Sequence, residues 1–289
     1  MKRYEKVGEA LGTGIRLVCV SSERSAEEGL LLAWEECGRI EAAYSRFIGN
    51  NELARLNGLQ GEWVEVSSEL YALLSFGVDL FEKSGGAFNL TVGSILEGWG
   101  YDADYLFNEK SPGCLGQIEL DSGLVRVSAS VDLGGLGKGY ALDRMSTCLE
   151  AFENVLIDAG GDLVARGVDE TGRPWRVAFE HPTDPSKAIG VVEVTEPLAL
   201  ASSSPSRRAW KGKHHLVNPQ TGQPASDMLA VYTQAATALE ADAWATALFV
   251  SGFEKAQSLL KKSFVESLLV RPSGELFRTK GFRGELFTC

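Results

Sequence analysis

No stretch of the chain approaches the ~20 consecutive apolar residues that a membrane span requires. The opening segment, MKRYEKVGEALGTGIRLVCV, mixes charges with short apolar pieces and contains no signal-peptide core. Cysteine is sparse and scattered (Cys19, Cys37, Cys114, Cys148 and Cys289), with no CxxC spacing, which argues against both a disulfide framework and a zinc site. The chain as written therefore reads as a cytoplasmic, reducing-compartment protein. A basic excess is also missing: 28 Lys and Arg face 39 Asp and Glu, for a net charge of −11. Nucleic-acid binding draws on clustered cations releasing counterions, so that class is excluded. No Ser-His-Asp order, HExxH motif or kinase set occurs either.

What is present is globular: 44% hydrophobic and 23% charged residues rule out disorder and low-complexity architectures. Ile15 to Val20 reads as a strand. Ser25 with Glu28 forms a capping-box pattern ahead of a helical stripe of Leu30, Trp34, Cys37, Ile40 and Tyr44. A second helix from about Ser68 places Leu70, Leu73, Leu74, Gly77 and Phe81 inward and stops at Gly85-Gly86. Ile118–Leu120 and Val125–Val127 flank a hairpin turn. Five further strands are expected at 155–157, 163–165, 175–179, 190–194 and 229–233. Capping boxes at Thr237 and Ser251 open two helices, and a hairpin closes the chain. Strands in hairpins with segregated helices indicate an α+β fold rather than a doubly wound sheet.

Four segments carry candidate chemistry. In VDLGGLGKGYALDR, glycines at 134, 135, 137 and 139 stand where a loop opens a helix, so backbone amides can approach an anion. Close helix–sheet packing fits the same glycines. In EADAWATALFV, Asp242 and Thr246 are four residues apart on one helix and present two hard oxygens, a pattern suited to Mg²⁺. An exposed Asp beside a back-bonded Thr is the plain alternative. In KHHLVNPQTGQP, His214 and His215 would face opposite sides of a strand, so one at most lines a given pocket. GGAFNLTVGSILEGWG could wall a ring-binding pocket, and DAGGD reads as a turn or a ligand contact.

Taken together and in order, these segments resemble the FAD:protein FMN transferase (ApbE) family across nearly the whole chain. The motifs run from LGTGIRL through SRFIGNNELARLN, GAFNLTVGSILEGWG, VDLGGLGKGYALDR, DAGGDLVARG and HHLVNPQTGQP to ADAWATALFVSG. The resemblance implies a single domain over 1–289, with a sheet-rich α+β core, flanking helices and a ligand cleft between two lobes. It implies a Mg²⁺-dependent enzyme that moves the FMN half of FAD onto a threonine of an acceptor flavoprotein and releases AMP. Asp242, Thr246 and the Gly135 carbonyl are then the metal ligands. Leu11, Phe47, Ala87, Phe88, Asn89, Asp132, Lys138 and Leu216 fall where the family contacts FAD, and His215 where a base for the acceptor hydroxyl stands. Family members are often exported and membrane-anchored. The chain departs from the pattern at Asn218 and Asn89, where Asp is usual, at Leu11, where Met is usual, and at Ser204, where Gly is common. A metal-dependent FAD pyrophosphatase and a non-catalytic FAD-binding protein are the alternative readings.

Overall fold

The computed structural model describes residues 1–101 and 107–287, so Cys289 lies outside the described residues. The chain opens with a hairpin of β1 (Lys2–Ala10) and β2 (Thr13–Ser21), whose turn residues Leu11 and Gly12 have positive φ. Helices α1 (Ser25–Tyr44) and α2 (Glu52–Gly58) follow, then β3 (Val64–Glu65), α3 (Ser68–Lys83) and α4 (Gly93–Gly98). The expected hairpin forms from β4 (Ile118–Asp121) and β5 (Leu124–Val127), with Leu120 opposite Val125. Helix α5 (Gly137–Cys148) leads to β6 (Asn154–Ala159), β7 (Asp162–Arg166), β8 (Trp175–His181), β9 (Asp184–Val194) and β10 (Leu198–Ser203). Two small hairpins come next. They pair β11 (Ala209–Trp210) with β12 (Lys213–His214), and β13 (Val217–Asn218) with β14 (Gln223–Pro224). The chain ends with β15 (Ala230–Ala235), α6 (Ala238–Ser251), α7 (Phe253–Leu260), β16 (Glu266–Val270), β17 (Leu276–Arg278) and β18 (Glu285–Leu286).

Eight strands form one antiparallel sheet in the order β1-β2-β6-β7-β10-β15-β16-β17, and β18-β9-β8 form a separate three-stranded sheet. Side chains alternate across a strand, and β2 shows the result. Leu17 joins the core beneath α1 and α5 with Leu30, Leu142 and Met145, while Val18 joins Trp175, Phe179 and Val192 of the small sheet. The middle of the large sheet is thus covered on both faces, and its inner strands are buried along most of their length. The α+β expectation holds. Among the described residues no helix is long and apolar enough to cross a membrane.

Several local expectations need correction. Thr237 caps α6 as its pattern implied, accepting from Glu240 N. Ser25 instead lies inside α1, and its hydroxyl donates to Glu23, so the competing neighbour removes the capping box. Ser251 ends α6 rather than capping α7: it donates to the Leu248 carbonyl, and Gly252 at φ 81° breaks the two helices apart. Phe81 is 42% exposed while Leu80 is 2% exposed, because the 70-73-74-77 stripe continues to 80.

Candidate active site

The sheet, the small sheet and α6 enclose a cavity of about 990 Å³, and a second of about 510 Å³ adjoins it beneath α1 and α5. The two share lining residues, among them Gly12, Phe47, Asp132, Lys138 and Arg208. Every site residue named from the sequence lines one or both. Ala87, Phe88, Asn89, Gly135, His215, Leu216, Asp242 and Thr246 line the larger cavity, Leu11 lines the smaller, and Phe47, Asp132 and Lys138 line both.

Helix α6 aims Asp242 and Thr246 into the larger cavity from one face, as their spacing implied. Asp242 is 2% exposed, so the reading of an exposed Asp fails here. Its Oδ2 accepts from Gly139 N at 2.9 Å and its Oδ1 lies 3.1 Å from Lys138 Nζ. The Thr246 hydroxyl stands 3.4 Å from the Ser203 hydroxyl at the end of β10. A Cβ on Gly135 would meet Thr246 Cγ2 at 3.2 Å, so the Gly135 backbone sits against the threonine. Carboxylate, hydroxyls and adjacent backbone make an all-oxygen donor set, which fits a hard divalent cation such as Mg²⁺.

Lys138 bridges two buried carboxylates, Asp242 and Asp162. Desolvation opposes its charge, but the two carboxylates outweigh it and raise its pKa. Burial, with Asp242 nearby, pushes the Asp162 carboxyl upward against the pull of Lys138. Asp162 follows the turn through Gly160 and Gly161, both at positive φ, and also accepts from Ser202 N at 2.8 Å. The DAGGD segment is therefore both a turn and a wall of the site.

The two readings of the glycine loop divide between positions. A Cβ on Gly139 would meet the Ala238 carbonyl oxygen at 2.1 Å, so α5 and α6 pack through bare backbone there. At Gly137 a Cβ would find its nearest neighbour at 4.0 Å, and this glycine faces the smaller cavity. Asp132 lines both cavities with its oxygens already committed: Arg46 pairs with Oδ2, and Gly134 N donates to Oδ1. Asn89 accepts from Thr91 N at 2.8 Å, and its side chain shapes the turn into the segment behind Phe88.

Of the two histidines only His215 lines the larger cavity, as expected, although β12 ends at His214 and His215 lies in the bend after it. His214 spends both ring nitrogens on structure, Nε2 on the Ala225 carbonyl at 2.9 Å and Nδ1 on Leu216 N at 3.2 Å. His215 lines the larger cavity, and its buried Nδ1 has no hydrogen-bond partner among the described residues. Burial first, then the Arg208 charge, lowers its pKa to about 3, so the ring is neutral at physiological pH. Asn218 is not part of this arrangement; it accepts from Gln220 N at 2.9 Å and closes its own turn. Arg208 and Ser203 line the site without a sequence motif to mark them, while Asp162 and Arg46 lie inside the DAGGD and SRFIGNNELARLN segments without having been singled out.

The fold is α+β, and its two adjoining cavities bring a buried carboxylate, two hydroxyls, a lysine and a neutral imidazole together. The ApbE family profile matches residues 11–269, and the chain belongs to that family. It is 30% identical to the FAD:protein FMN transferase of Klebsiella pneumoniae over 94% of this chain and 81% of that protein. The crystal structure of the ApbE protein from Thermotoga maritima superposes with a TM-score of 0.88 at 30% identity, covering 96% of this chain and 97% of that one. The apo flavinyl transferase ApbE of Pseudomonas stutzeri gives 0.84 at 26% identity, over 96% and 95%.

Proposed function

We propose that the whole chain, 1–289, is one FAD:protein FMN transferase domain that uses Mg²⁺ and moves FMN onto a threonine of a flavoprotein acceptor. The observation that carries the reading is the convergence of His215, Asp242, Thr246, Gly135 and Lys138 on one cavity in a member of the ApbE family. Asp242, Thr246 and the Gly135 backbone would hold the metal, which supplies positive charge against the diphosphate of FAD in a protein of net charge −11.

A threonine hydroxyl is a weak nucleophile at neutral pH and needs a base at its proton. His215 takes that proton. The threonine oxygen bonds to the FMN phosphorus, the bond from that phosphorus to the bridging oxygen breaks, and the electron pair leaves with AMP. The low pKa of His215 keeps it unprotonated, and an anionic ligand near Arg208 would reduce the repulsion that holds it low. The test is incubation of purified protein with FAD, Mg²⁺ and an acceptor flavoprotein. Acceptor mass should rise by one FMN with equimolar AMP, and fail to rise with EDTA or with the acceptor threonine changed to valine. AMP released without an acceptor would indicate the pyrophosphatase instead, and intact FAD with any acceptor the binding protein.

A further inference from the structure

The lysines and arginines lining the two cavities differ in one respect. Arg16, Arg46, Lys138, Arg176 and Lys187 each lie within hydrogen-bonding or ion-pairing reach of a carboxylate, on Glu5, Asp132, Asp162, Glu193 and Asp184 respectively. Arg208 pairs with no carboxylate among the described residues. Its Nη2 is 3.4 Å from the carbonyl oxygens of Leu11 and Gly12, at the edge of hydrogen-bonding distance. The placement is set by a hairpin. Lys211 and Gly212, both at positive φ, make a two-residue turn, and Ala209 pairs with His214. Arg208 and His215 flank that hairpin, one residue beyond each end of the paired strands.

Arg208 also lines both cavities, at their junction. A dinucleotide has two bulky ends and a charged link, so a ligand with one end in each cavity must pass its diphosphate by this guanidinium. We propose that Arg208 is the residue that grips the diphosphate of FAD, on the side of the smaller cavity, and so selects dinucleotides over FMN. The inference rests on the transferase reading, which supplies FAD as the ligand. A guanidinium presents a planar fork of donors that matches two phosphate oxygens, and a half-buried one loses less of that attraction to water. When P–O cleavage leaves charge on the departing AMP phosphate, the same fork faces it.

The test is isothermal titration of FAD, ADP and FMN into wild type and Arg208→Gln, each with Mg²⁺. Arg208→Gln should weaken FAD and ADP by about tenfold or more, the worth of a charge-assisted contact, and FMN by less than about threefold. Unchanged FAD and ADP affinities, or an equal loss for FMN, would overturn the role. Circular dichroism checks the variant's fold. If Arg208→Gln is misfolded, Arg208→Lys, which keeps the charge and loses the fork, should show a smaller loss of the same pattern, and no loss would overturn it equally. A wild type that binds neither FAD nor ADP sinks the transferase reading itself; a wild type that binds both, with a variant that binds equally well, sinks only this assignment.

Discussion

The α5–α6 junction and the 209–215 hairpin border the same cavity and are built in opposite ways. At the junction no buried side-chain nitrogen or oxygen lacks a partner among the described residues. Gly139 N donates to Asp242, Asp143 on α5 accepts from Ala238 N and Leu239 N, and Thr237 accepts from Glu240 N. Along the hairpin the buried Trp210 Nε1 and His215 Nδ1 have no partner among the described residues, and Arg208 makes two long contacts. Under the proposed function the difference would separate two tasks: a cation site gains from rigid, pre-placed oxygens, while a side that met substrate and acceptor would keep polar capacity uncommitted.

Breaking the rigid side should have the largest effect. Asp242→Ala removes the only carboxylate of the proposed metal set, strands Gly139 N and leaves the Lys138 ammonium with Asp162 alone. FMN transfer should fall to background across a Mg²⁺ titration, whereas Thr246→Ala, losing a neutral ligand, should retain measurable turnover. On the open side, His215→Ala should cost about 10²–10⁴ in transfer rate with FAD still bound, read as acceptor-bound FMN by mass spectrometry. His214→Ala should cost far less in rate, since its nitrogens serve the backbone outside the cavity. Wild-type labelling by His215→Ala would erase the contrast between the two rings.

The junction also predicts a stability effect without direct chemistry. Asp143→Ala leaves two amides of α6 without their acceptor and should destabilise the protein by about 1–3 kcal/mol in urea unfolding. A separate acid-sensitive contact lies below the smaller cavity. Hydrogen bonds from Arg39 chiefly, and from Tyr140 and Tyr44, hold the Glu69 carboxyl down at about 2, from an ordinary value of 4.5. A depressed carboxylate contributes stability above its unfolded pKa, and that contribution disappears as pH falls from 4.5 toward 2. Stability should therefore drop less steeply across that window in Glu69→Gln than in wild type. The smallest effect expected is for Asn218→Asp, which should leave transfer unchanged or modestly raised, because the side chain closes its own turn.

Much of this arrangement is readable in advance because it is local. An i, i+4 pair on a helix, a Thr cap and a two-residue strand alternation each depend on neighbours a few residues away. Asp242 with Thr246, Thr237, and the contrasting His214 and His215 are of this kind. Arg208, Asp162 and Arg46 become site residues through neighbours that only the folded chain supplies: Arg208 beside the Leu11-Gly12 turn, Asp162 through Lys138, Arg46 through Asp132. Among the strands that the pattern missed, the two in the large sheet escape for related reasons. β1 alternates charges with small residues on an edge, leaving Val7 67% exposed, and β10 reads LALASS, whose small residues suit several conformations. The Ser25 box fails because Glu23 competes for the same hydroxyl.

The large sheet ends on β1 and β17, and the two borders deter self-assembly by different means. β1 sets Lys2, Arg3, Glu5, Lys6 and Glu9 along its length, with Glu5 engaging Arg3 on the same strand and Arg16 across the hairpin. β17 is only three residues long, too short a template for another chain. Stray strand addition, the first step toward aggregation, meets charge at one border and brevity at the other. The protein should accordingly stay dispersed when concentrated, and a Lys6→Val, Glu9→Val double variant should lower its solubility without altering its fold.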